Sequence, residues 1–199
     1  MIVNDEEEEE GKKPFKILDK IEDRLLKARR IFLSAAIDAE TANEIIRKFW
    51  YLELTEPGKP IIFVINSPGG SVDAGFAIYD QIKMLTSPVK TLVTGLAASM
   101  GSIINLAAPK GHRYATPNTR IMIHQPAIHG VIRGQATDLD IQAKEIIKTR
   151  NSLIELYVRE TNKDAQTIEK ALDRDTWMSS QEAKEFGLID KIVSSYKDI

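Results

Sequence analysis

The stretch from Pro60 to Val93 restricts the fold more than any other part of this chain. Ile61-Ile62-Phe63-Val64-Ile65 is an unbroken apolar, largely β-branched run that reads as a buried strand. It ends in Asn66-Ser67-Pro68-Gly69-Gly70-Ser71, a turn-forming cluster, after which Val72, Phe76, Tyr79, Ile82 and Leu85 recur at helical spacing. A second β-rich run, Val89 to Val93, follows. Two strands joined through a helix lie parallel, so the chain is committed to an α/β architecture with at least one right-handed crossover.

The second strand runs on through Thr94 into Gly95-Leu96-Ala97-Ala98-Ser99-Met100-Gly101-Ser102, and a helix-compatible run, Ile103 to Ala108, leaves it. A sharp strand-to-helix turn holds a serine hydroxyl clear of the backbone and offers the following N–H groups at a helix N-terminus. Both features suit a nucleophile that generates an oxyanion. The usual elbow reads G-x-S-x-G, whereas Ala97 occupies the position two before Ser99. The same residues also suit a tight packing turn, so local sequence alone leaves both readings open. The glycine loop after the first strand matches neither G-x-x-x-x-G-K-[ST] nor G-x-G-x-x-G. It reads as an exposed peptide N–H at the mouth of a site rather than a phosphate cradle.

Elsewhere the pattern is that of one folded domain. Phe15, Leu18, Ile21, Leu25 and Leu26 predict a first helix and Arg29 to Leu33 a short strand. Asp38 is placed to cap a helix with the apolar face Ala42, Ile45, Ile46, Phe49 and Leu52, closed by Pro57-Gly58. His112 to Thr116, Arg120 to His124 and Thr176 to Met178 are strand-like, as is Leu188 to Val193. Thr137-Asp138-Leu139-Asp140 matches a capping box opening a long helix to Glu160, and a short helix fits Asp164 to Leu172. Ser179 to Glu182 is a second capping box, with Gly187 as the matching C-cap. Residues 1–14 carry the acidic block Asp5 to Glu10 and read as a disordered tail, leaving residues 15–199 as the folded domain.

Composition removes several function classes. The 199 residues carry a net charge of −2, which gives no electrostatic argument for nucleic acid or an anionic membrane. No apolar run reaches membrane-spanning length. With no cysteine there is no disulfide framework, thiolate zinc site or cysteine nucleophile. The acidic N-terminus is unlike a secretory or transit peptide, so a cytoplasmic location is expected.

Serine hydrolysis needs a base for the hydroxyl proton and a carboxylate to orient that base. Of the 3 histidines, His124 ends an apolar strand before Gln125-Pro126, where a side chain is held rigidly. His112 lies in a polar turn and His129 in an irregular segment. Asp173-Arg174-Asp175 precedes a strand and supplies the acid, but spacing does not choose between the two aspartates. Gly69-Gly70 and the Met100 N–H are the candidate oxyanion donors.

Five motifs in register now carry a resemblance. They are Ile65 to Gly70, Ala97 to Ser102, Met122 to Pro126, Gly134 to Asp138, and Arg174-Asp175. Together, over roughly Arg29 to Val193, they resemble the ClpP family, the proteolytic subunits of ATP-dependent Clp proteases. The resemblance implies an α/β fold of the ClpP/crotonase type, built of stacked β-β-α units with a protruding handle helix. It implies Ser99 as nucleophile, His124 as general base, Asp175 as orienting acid, and the N–H groups of Gly70 and Met100 as oxyanion hole. Substrate would lie along Gly69, Gly70, Ser71 and Val72 on one side and Gln125, Pro126 and Ala127 on the other, main chain to main chain. Asp173 and Arg174 would couple ring contact to the triad. Two stacked seven-membered rings, homo- or heteromeric, would enclose unfolded polypeptide delivered by an AAA+ unfoldase. ATP would be used by that partner and no cofactor or metal by this chain.

Two departures from the family pattern stand out. The acidic block replaces the usual hydrophobic axial segment, and the handle lead-in, Ala127 to Arg133, is longer and carries His129. Such divergence is expected of a specialised paralogue mixed with another subunit. Two other classes make different predictions. A silent ring subunit typically lacks a triad residue. An acyl-CoA-handling crotonase-fold enzyme needs paired carboxylates near the glycine loop, where only Asp73 stands.

Overall fold

The computed structural model describes residues 15–127 and 133–199. The acidic stretch at 1–14, and most of the handle lead-in with His129, lie outside the described residues. After helix α1 (Phe15–Lys27), strands β1 (Arg30–Leu33), β2 (Ile61–Ser67) and β3 (Val89–Ala98) are parallel neighbours joined through α2 (Ala39–Thr55) and α3 (Val72–Met84). Beyond them lie β4 (Arg113–Ala115) and β7 (Lys191–Ile192), giving the order β1-β2-β3-β4-β7. The expected parallel crossover is therefore present, within a mixed α/β fold.

The sheet's two faces differ. Ile61, Phe63 and Ile65 point to the helical side and are fully buried, and Phe63 meets the edge of Phe49 from α2 at 5.2 Å. Alternation turns Ile62 and Val64 to the other face. There a smaller cluster of Val64, Leu92, Tyr114 and Val193 is backed by Ile199. The predicted caps at Asp38 and Ser179 form and Gly187 adopts the left-handed C-cap, while Asp164, read as the first residue of a short helix, instead caps α6 (Ala165–Leu172).

Halfway along β3 the chain changes partner. Thr91 to Val93 pair with β4, but Leu96 to Ala98 pair with β5 (Arg120–Ile123). The switch occurs at Gly95, whose φ of 76° is left-handed, and at a bulge in the register with β2. In turn β5 pairs antiparallel with β6 (Thr176–Ser179). Helix α4 (Met100–Asn105) starts immediately after Ser99, earlier than the Ile103 start suggested by sequence.

The long helix α5 spans Ala136–Thr161, about 39 Å at 1.5 Å per residue. The capping box expected at Thr137 is not made. The helix starts ahead of it at Gln135, so Thr137 is already helical and its hydroxyl no longer faces a free N–H. The first four turns are largely solvent-exposed, including Ile141 and Ile147, and burial begins at Leu153. This is the protruding helix that the resemblance implied. The strand expected over Leu188 to Val193 shrinks to Lys191–Ile192. Leu188 instead closes α7 (Ser180–Phe186), its N–H donating to the Ala183 carbonyl.

One carboxylate ties α2 to the turn before β3. Glu53 accepts from the backbone N–H of Thr86 (3.0 Å) and Ser87 (3.1 Å) and from the Thr86 hydroxyl. Hydrogen bonds from Ser87 and Thr86 hold its pKa down, at about 2. A folded-state value below the unfolded one gives stability that is complete above the usual glutamate range and is lost as pH falls towards 2. Glu53→Gln is therefore expected to lower Tm by about 2–4 °C near neutrality. The gap between the two Tm curves should close on acidification; a gap independent of pH would refute this role.

Candidate active site

The register of three strands brings the candidate residues together. Ala98 is level with Met122 in the parallel β3–β5 ladder, and Ser99 N–H still donates to the Met122 carbonyl at 2.9 Å. In the antiparallel β5–β6 pair, Ile123 faces Thr176. The next step of that ladder sets His124 against Asp175, which excludes Asp173 from the same position. His124 Nδ1 lies 3.1 Å from Asp175 Oδ1, and His124 Nε2 lies 2.8 Å from Ser99 Oγ. The histidine is mostly buried and the aspartate side chain is exposed on its outer side.

Ser99 sits at φ 53°, ψ −123°, a conformation seldom adopted by a residue with a side chain. This geometry turns Oγ towards His124 as the strand becomes a helix. The Ser99 side chain does not cap α4, so the hydroxyl remains committed to the imidazole. The Met100 N–H opens the helix.

The glycine loop approaches this turn closely. A Cβ on Gly69 would come within 2.7 Å of Ser99 Cβ and 3.0 Å of the Met100 nitrogen. A Cβ on Gly70 would lie 2.1 Å from the Ile37 carbonyl oxygen. Only glycine fits either position, and both have φ in the left-handed range. Ile37 N–H donates to the Gly69 carbonyl and Ser71 N–H donates to the Ile37 carbonyl. In such a parallel bridge the N–H of Gly70 points to the opposite edge.

The remaining expected contacts divide. Ser71 caps α3 and Val72 begins it, in the first turn, where backbone N–H groups have no partner within the helix. Gln125 is occupied: its N–H donates to the Leu172 carbonyl (2.7 Å) and its amide to the Asp173 carbonyl (2.9 Å). It braces the loop that presents Asp175. Ala127, Asp173 and Arg174 line an open hollow with His124, Gln125 and Asp175. Asp173 and Arg174 are exposed, the Arg174 guanidinium donating to the Asp173 carbonyl at 3.0 Å.

Sequence reading missed Ser102 and Tyr157, whose hydroxyls meet behind Ser99. The available signal was a tyrosine on the apolar stripe of a helix, because a buried phenol needs a partner. Among the described residues, no group of three or more His, Asp or Glu side chains is placed to hold a metal, and no helix is long and apolar enough to cross a membrane.

A serine, imidazole and carboxylate in hydrogen-bonded series, beside two N–H groups, suit nucleophilic attack on an acyl carbon. A family model described as Clp protease matches residues 13–196. The chain belongs to the Clp protease family. It is 68% identical over 186 residues to the ATP-dependent Clp protease proteolytic subunit 1 of Protochlamydia amoebophila (strain UWE25), covering 94% of this chain and 90% of the relative. Identity to the subunit of the same name in Chlamydia pneumoniae is 62% over 184 residues, or 92% and 96% of the two chains. The ATP-dependent Clp protease proteolytic subunit of Bdellovibrio bacteriovorus is 50% identical over 175 residues, 87% of this chain and 82% of that one.

Proposed function

We propose that this chain is the proteolytic subunit of an ATP-dependent Clp protease, a serine endopeptidase acting on unfolded polypeptide. The hydrogen-bonded series Ser99, His124, Asp175 is the observation that carries this reading. His124 Nε2 takes the proton from Ser99 Oγ as that oxygen attacks the scissile carbonyl, while Asp175 fixes the tautomer and offsets the charge on the imidazolium. The N–H groups of Gly70 and Met100 receive the oxyanion, each worth on the order of 3 kcal/mol of barrier. The imidazolium returns its proton to the leaving amine, the Ser99 acyl ester remains, and a water activated by His124 hydrolyses it. Substrate adds in extended form beside Gly70, contributing main-chain hydrogen bonds that are indifferent to sequence. An unfolded chain is required for that pose.

Selection then lies with whatever admits the polypeptide. A partner ATPase of the Clp type unfolds and delivers it, in the cytoplasm, and this chain uses no cofactor. Subunits assemble as two stacked seven-membered rings, with Asp173, Arg174 and the exposed part of α5 at the ring–ring contact. Two of the relatives are named proteolytic subunit 1. That agrees with a paralogue sharing its barrel with a second subunit. Native mass measurement of the complex purified from its source is expected to give a mixed assembly; a pure homo-tetradecamer would overturn the mixture. The peptidase reading is tested by fluorophosphonate labelling, which should modify Ser99 alone. An unreactive, correctly assembled wild type would refute it.

A further inference from the structure

Behind the nucleophile lies a second hydroxyl series. Ser102 Oγ is 2.7 Å from the Ser99 carbonyl oxygen and 2.7 Å from the Tyr157 hydroxyl. A carbonyl only accepts, so the Ser102 proton points to Ser99 and the Tyr157 proton points to Ser102. The direction is fixed as Tyr157 O–H to Ser102 O–H to Ser99 C=O. Ser102 and Tyr157 are 1% and 2% exposed, so water does not compete for these bonds. Burial pushes the phenol well above its ordinary range, which keeps the donor protonated.

The Ser99 carbonyl and the Met100 N–H belong to one planar trans peptide and point in opposite directions. Holding the oxygen therefore aims the N–H. Ser99 has a strained backbone, so this peptide lies away from its local minimum and needs an external hold. The Ser102 N–H supplies part of it, donating to the same oxygen at 3.0 Å. A chain of hydroxyls donating in one sense also polarises the peptide and strengthens its N–H as a donor.

We propose that Ser102 and Tyr157 are positioning residues that aim the Met100 N–H at the oxyanion, with Tyr157 supplying the support from α5. The assignment rests on the reading of Met100 as an oxyanion donor. A purely structural hydroxyl pair would satisfy its own polar atoms and affect stability alone.

The test uses the full assembled protein and compares Ser102→Ala, Tyr157→Phe and the double variant on a fluorogenic peptide. Tyr157→Phe keeps the ring that fills the core, and the double variant leaves no hydroxyl without a partner. Ser102→Ala is expected to lower kcat about tenfold with KM within about twofold, less than the loss from deleting a donor outright. Tyr157→Phe should show a smaller loss in kcat. The double variant should be no worse than Ser102→Ala, because both act through one peptide. Affinity for a peptide boronate, whose adduct with Ser99 is tetrahedral and anionic, should fall with kcat. Binding of the uncleaved peptide in a Ser99→Ala background should not change. Folded, assembled variants with wild-type kcat, or with raised KM and unchanged kcat, overturn the proposal. If wild type does not label at Ser99, the peptidase reading falls with it; if wild type labels and the variants keep kcat, only the positioning role falls.

Discussion

Ser99→Ala is expected to lower kcat by about 10⁵-fold or more while leaving assembly and peptide binding intact. The hydroxyl's partner is His124 Nε2 at 2.8 Å, and His124 remains held by Asp175 on its other nitrogen. Its removal deletes the bond-forming atom without releasing the histidine. Alanine keeps the Cβ at a backbone already fixed by the Ser99 N–H bond to Met122 and by the start of α4. Residual turnover would come from the two N–H groups and substrate binding, which act on any attacking water. Fluorophosphonate labelling should vanish in the same variant. Turnover by Ser99→Ala within tenfold of wild type would show that another group attacks.

The largest effect on stability is expected at Arg113, far from any solvent. Its side chain is 1% exposed and donates to the carbonyls of Ala108 (2.9 Å), Glu160 (3.0 Å) and Leu106 (3.2 Å), and to the Glu160 carboxylate. Burial raises the Glu160 pKa, but the Arg113 hydrogen bond and the charges of Lys83 and Arg113 outweigh it, so the net shift is downward. Arg113→Met removes donors from three buried carbonyls and leaves Glu160 with Tyr79, Lys83 and Arg159 as weaker company. The expected cost is about 3–5 kcal/mol. Adding Glu160→Leu should recover part of it, because the stranded charge is gone. Urea unfolding at one fixed protein concentration measures both, since stability of an oligomer depends on concentration. A single variant less than about 1 kcal/mol below wild type would show that neighbouring cations already neutralise Glu160.

Much of the site was legible as separate pieces. The elbow at Ser99, the glycine loop and the strand-ending His124 each announce themselves through small residues, glycines and an apolar strand within a few positions. The resemblance then named Asp175, which spacing had left level with Asp173. Helix starts at Asp38, Asp164 and Ser179 were equally plain, because a cap is a bond between residues three apart. Thr137 shows where this fails: the motif is intact, but the helix begins before it and the cap has nothing to satisfy.

By itself, then, the sequence determined the β-α-β unit from Ile61 to Val93, the turn that exposes Ser99, and the glycines that come against it. Those features depend on neighbours along the chain, where propensity and spacing act directly. Tertiary structure decided the rest. The antiparallel register of Ile123 with Thr176 sets Asp175, and not Asp173, beside His124. The change of partner along β3 brings β5 against Ala98, and the packing of α5 places Tyr157 behind Ser102. Strand register and helix packing are fixed by residues 25 to 55 positions apart, and their pairing is set by burying both surfaces at once.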